Sequence, residues 1–107
     1  MFSASISEPI DFAASAGIVA NTLRALSNER RLTILCKLAE AGEMSVGAMA
    51  NILDLAQSAL SQHLAKMRNE SIVACRRDGQ TMMYRIADPR IEQLMTELHR
   101  LFCAPRH

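Results

Sequence analysis

The sequence predicts a mainly α-helical domain that carries one small β-hairpin. Three observations lead there. Half of the 107 residues are hydrophobic but only 4% are aromatic, with seven Met and no Trp, a composition suited to helices packed on helices. Apolar residues recur at helical spacing in five separate segments. One stretch near the C-terminal end alternates instead with period two on either side of a glycine turn. A chain of this length makes one domain with a modest core.

Residues 1–9 are small and polar and read as a loosely ordered N-terminal segment, leaving 10–107 as the folded domain. From Asp11 to about Leu26 a first helix places Phe12, Ala16, Val19, Leu23 and Leu26 at alternating steps of four and three, the stripe of a helix that meets a partner helix. Gly17 weakens it slightly. Ser27 is expected to cap the second helix, and Glu29 suits the positive end of its dipole. Leu32, Ile34, Leu35, Leu38 and Ala39 turn to the core, and Gly42 is the natural stop.

The next stretch, Ser45 to Arg68, organises the rest. Ser45 caps a short helix carrying Val46, Met49, Ile52 and Leu53; Asp54-Leu55-Ala56 interrupts the pattern, and a further helix starts at Gln57. One side of that helix holds Leu60, Leu64 and Met67. The other holds Gln57, Ser58, Ser61, Gln62, His63, Lys66 and Arg68. Short polar side chains read base edges and cations meet phosphates, so this face suits a DNA major groove. A solvated surface helix would look similar from residue types alone.

The segment C-terminal to this helix favours the first, because such a helix followed by a basic-tipped hairpin is much rarer than either alone, although an ordinary exposed hairpin could also carry arginines for solubility. Ile72 to Arg77 leads through the turn Asp78-Gly79 to a returning strand, Thr81 to Ile86, in which Met82, Tyr84 and Ile86 share the buried face. Arg76 and Arg77 flank the hairpin tip, as in a wing that straddles a phosphate backbone. Between Ala56 and Arg90 six basic residues stand against three acidic ones, although the whole chain carries only +1. Asp88 and Pro89 then open a last helix to about Cys103, with Ile91, Leu94, Met95, Leu98, Leu101 and Phe102 on a wide apolar face. This face and the first helix expose more apolar surface than one small core covers, so a homodimer through the first and last helices is expected. The fold class is thus a homodimeric winged helix-turn-helix: four helices, a hairpin, a fifth helix.

Other classes find little footing. No apolar run is long enough to span a membrane, and the N-terminus lacks the pattern of a signal peptide, which points to a cytoplasmic protein. No Cys-x-x-Cys pair, Gly-rich phosphate loop or Ser/His/Asp arrangement suggests an enzyme, and no cofactor is implied. Cys36, Cys75 and Cys103 make no disulfide framework.

The runs LSNERRLTIL, SVGAMANILDLAQSALSQHLAKMRNESIV and RRDGQTMMYRI closely resemble the ArsR/SmtB family of bacterial winged helix-turn-helix repressors, from Leu23 to Phe102. Two departures are Ser71, where the family usually has Gly, and Ala59, where a hydroxyl residue is more common. The resemblance implies a homodimer on double-stranded operator DNA, with Gln57, Ser58, Ser61, Gln62 and His63 toward the bases. Lys66, Arg68, Arg76 and Arg77 would then contact mostly phosphates. The usual metal sites of the family are absent from Met44 to Ala50 and from the last helix. The pair formed by Cys36, in LTILCKLAEAGEMSV, and Cys103, in LFCAPRH, resembles the sulfur-responsive branch, the BigR and SqrR type of persulfide sensors. That branch implies a sulfane-sulfur inducer joining Cys36 and Cys103 through a disulfide or a bridge of several sulfurs, with Cys75 a bystander. The alternative is a metal-responsive repressor with a non-standard site of Cys36, His99 and Cys103.

Overall fold

The computed structural model of the chain describes residues 9–103, with side chains from residue 12 onward. The elements are α1 (Pro9–Leu26), α2 (Glu29–Ala41), β1 (Met44–Ser45), α3 (Val46–Leu53), α4 (Gln57–Asn69), β2 (Val73–Asp78), β3 (Thr81–Ile86) and α5 (Pro89–Phe102). All five expected helices and both hairpin strands are present. Of the expected N-terminal segment, residues 1–8 lie outside the described residues, while Pro9 already belongs to α1.

Local chemistry explains most boundaries. Asn28, not the expected Ser27, caps α2: its side chain accepts from the Arg31 N–H at 3.0 Å. Gly42 ends α2 at φ 87°, donating its N–H to the Leu38 carbonyl. Ser45 caps α3 as expected, its hydroxyl accepting from the Ala48 N–H at 3.2 Å. Asp54 closes α3 in the left-handed region at φ 55°, a conformation its short polar side chain tolerates. At the end of α4 the Ser71 N–H bonds the Arg68 carbonyl at 3.0 Å and the Ile72 N–H bonds the Met67 carbonyl at 2.9 Å. This is a Schellman closure with Ser71 at φ 64°, where glycine is the unstrained residue, and with buried Ile72 and Met67 as its apolar pair.

The sheet has three strands in the order β1-β3-β2, all antiparallel. The two-residue β1, paired through Met44 with Tyr84, was not expected. The turn also shifts by one residue. Asp78 pairs with Thr81, so Gly79-Gln80 makes the two-residue loop, with Gly79 at φ 67°.

Ile34, Leu35 and Leu38 of α2, Met49 of α3 and Leu60, Leu64 and Met67 of α4 are fully buried, and Ile91 and Met95 bring α5 against α2. α1 stands apart from this core: Leu26 is buried at its end, but Phe12, Ile18 and Leu23 are 68%, 57% and 52% exposed. No helix among the described residues is long and apolar enough to cross a membrane.

Candidate nucleic-acid interface and thiol groove

Leu60, Leu64 and Met67 recur at steps of four and three and seat α4 on the core. Rotation about the helix axis then leaves Gln57, Ser58, Ser61 and Gln62 exposed on the opposite face, with Lys66 and Arg68 exposed near the end and His63 half-buried at one flank. Ala56 provides no side-chain cap, so the first-turn N–H groups of α4 remain open at its leading end. The predicted reading face is therefore one continuous surface.

The four cations expected on phosphates are not equivalent. Lys66 and Arg77 have no ion-pair partner among the described residues. Arg77 lies opposite Met82, beside the tip of the hairpin. Arg76 points to the other face of the strand, and its guanidinium grips the Glu43 carboxylate through two bonds of 2.8 Å. Arg76 and, more weakly, Arg85 hold the Glu43 carboxyl below its ordinary value. Arg76 thus braces the wing against the β1 corner, and its charge is already answered. Arg68 donates to the Cys75 sulfur at 3.1 Å, which ties the end of α4 to β2. Tyr84, opposite Cys75, is pushed up mainly by burial and further by Cys75.

One junction escaped the sequence reading. Arg31 of α2 donates to both Glu70 carboxylate oxygens, at 2.8 and 3.0 Å, and to the Ala25 carbonyl at 3.1 Å. It joins the ends of α1 and α4 to the helix that bears Cys36. The partners lie 39 residues apart, and no local pattern in the sequence points to the link.

Cys36 and Cys103 are found on the same side of the molecule. Both line one open groove of about 570 Å³ between α2, α3 and α5, whose walls include Leu32, Leu53, Leu98 and Phe102. Cys36 is half-buried on α2, whereas Cys103 is exposed at the C-cap of α5, its N–H bonded to the His99 carbonyl at 2.8 Å. Burial pushes the Cys36 thiol up, the nearby Cys103 and Glu40 add to the effect, and Lys37 opposes it. Lys37 itself pairs with Glu40 at 2.9 Å. His99 shares the groove, yet among the described residues no three His, Cys, Asp or Glu side chains are gathered closely enough to hold a metal ion.

Comparison with known proteins places this architecture. Residues 28–74 match the family model described as bacterial regulatory protein, arsR family. The chain is 46% identical over 81 residues to the transcriptional activator HlyU of Vibrio cholerae, covering 76% of this chain and 74% of that protein. It is 38% identical over 94 residues to the biofilm growth-associated repressor of Xylella fastidiosa, covering 88% and 82%. Among solved structures, HlyU from Vibrio vulnificus superposes with a TM-score of 0.81 at 40% identity, covering 87% of this chain and 96% of that one. The transcriptional repressor BigR from Xylella fastidiosa gives 0.78 at 38% identity, covering 89% and 96%. With the helix-turn-helix, the wing and these relatives in agreement, the chain belongs to the ArsR family of bacterial DNA-binding transcription regulators.

Proposed function

We propose that the chain is a cytoplasmic, homodimeric repressor that holds operator DNA while its thiols are reduced and releases it when Cys36 and Cys103 are joined by sulfane sulfur. The observation that carries this reading is the shared groove: two cysteines 67 positions apart in sequence line one cavity, near enough for the charge of one to raise the other. A relative named as a repressor, BigR, lends the direction of regulation.

The chemistry runs in two steps. The exposed Cys103 thiolate attacks the terminal sulfur of a hydropersulfide R–S–SH; the S–S bond breaks, RS⁻ leaves, and Cys103 becomes a persulfide. Cys36, whose raised pKa makes it the poorer first nucleophile, then attacks the Cys103 sulfur, and HS⁻ leaves as the disulfide forms. The thiol pair loses two electrons and the sulfane sulfur becomes sulfide. A longer donor chain yields a bridge of several sulfurs by the same substitutions.

Closing so long a loop constrains the chain by about 4 kcal/mol. Only the part felt differently by the bound and free forms alters DNA affinity, typically ~1–3 kcal/mol. Arg31 supplies a physical route, because the helix bearing Cys36 also grips the end of α4. Mass spectrometry after treatment with a polysulfide is expected to find Cys36 linked to Cys103; modification confined to Cys75 would remove the mechanism.

A further inference from the structure

We propose that a basic cleft on the flank of α4 takes a phosphodiester of the DNA backbone, with Arg24 as its principal cation. This rests on the reading that α4 seats duplex DNA. The cleft has a volume of about 450 Å³ and lies where the C-terminal end of α1, the N-terminal end of α2 and α4 meet. Arg24, Asn28, Arg31, His63, Lys66 and Glu70 line it.

The charges in it do not cancel. Arg31 and Glu70 answer one another through their paired bonds. Arg24 and Lys66 form no ion pair among the described residues, although Lys66 is near enough to Glu70 to help hold its carboxyl below the ordinary value. Arg24 donates instead to the Asn21 side-chain oxygen, a neutral acceptor that aims the guanidinium without discharging it. Two full positive charges therefore share one concavity. The N-terminal end of α2 adds the positive pole of its dipole there, and Asn28 spends its carbonyl oxygen on the cap, leaving its amide to donate outward.

A ligand for this arrangement is an anion with several acceptor oxygens, which a phosphodiester supplies. Position says whose phosphodiester it is. Lys66 follows Gln62 by one turn of α4, about 6 Å along the axis, so a duplex lying on the reading face carries its backbone past the cleft. Arg77 on the wing meets one strand beside the groove, and Arg24 and Lys66 meet the other. His63 lines this cleft and is half-buried there, at the border between the cleft and the exposed face of α4.

The test uses the full chain and a mixed-sequence duplex of roughly 30 base pairs, room for two half-sites one or two turns apart. Affinity is read by fluorescence anisotropy across a salt series for the wild type, Arg24→Gln and Arg24→Lys. Each phosphate neutralised contributes about 0.9 to the slope of log affinity against log salt, so losing one per protomer flattens a dimer's slope by about 2. Arg24→Gln is expected to show that flattening with an unchanged melting temperature, and Arg24→Lys to keep the wild-type slope. A wild type that binds with a steep slope, beside an Arg24→Gln variant with the same slope, overturns the cleft alone. Equal loss of affinity in both variants without a change of slope also overturns it, since a merely structural role would act that way. A wild type that binds no duplex overturns the reading of α4 on which the cleft depends.

Discussion

Two single residues set how firmly the reading helix ends. Ser71 occupies the left-handed region at φ 64° in the Schellman closure of α4, a conformation that disfavours a Cβ by roughly 1 kcal/mol or more. Ser71→Gly is therefore expected to stabilise the fold by about 1 kcal/mol, and to raise the melting temperature by about 4 °C. A melt that is unchanged or lower would show that the site carries no strain. The second residue is Glu70, whose carboxyl the Arg31 guanidinium holds below its ordinary value. A group depressed in the folded state stabilises above its unfolded pKa, and this contribution disappears as pH falls through the folded value. Wild type should thus lose more stability than Glu70→Gln between neutral pH and about pH 3, as read from urea midpoints. Equal losses would show that the pair contributes nothing. The special position of Ser71 was legible through the resemblance, because the family usually has glycine there. The cap of α2 was not, because Ser27 and Asn28 are both good caps and only the Arg31 N–H chooses between them. Nor were the answers to Arg76 and Arg31, whose carboxylates lie 33 and 39 residues away.

At the scale of elements, periodicity succeeded where segments were long enough to show it. All five helices carry two or more turns of apolar spacing, and the hairpin has clean alternation about Gly79. β1 has only two residues, too few for any period, and exists because β3 offers it an edge. The turn slipped by one because Asp78 and Gly79 together suit a hairpin loop, whereas the register pairs Asp78 with Thr81. Of the stripe predicted on α1, Phe12, Val19 and Leu23 are uncovered, with Leu23 52% exposed, while Leu26 is buried; α5 ends in Leu101 and Phe102, 58% and 80% exposed. A second copy of the chain would remove this surface from water. Leu23→Asp or Leu101→Asp, placing a charge in that contact, should weaken self-association at least tenfold, roughly 1.4 kcal/mol or more. Sedimentation of micromolar protein checks this; two variants that stay as associated as the wild type would place the dimer contact elsewhere.

For the whole molecule, the helix-turn-helix and wing were legible because their residues lie together in sequence order. The two thiols were legible only through resemblance, since nothing in the spacing of Cys36 and Cys103 says that α2 and α5 share a groove. What the fold adds is mechanical continuity. The groove opens on α2, and α2 meets the end of α4 through Arg31 and Glu70, which is the route the proposed switch would use. The most direct test is operator affinity before and after polysulfide, for wild type, Cys36→Ser and Cys103→Ser. The account predicts equal binding by all three when reduced, and a fall of about 5- to 150-fold in the wild type alone after treatment, reversed by dithiothreitol. Full release from either serine variant, or undiminished wild-type binding once the Cys36–Cys103 link is complete, would contradict it.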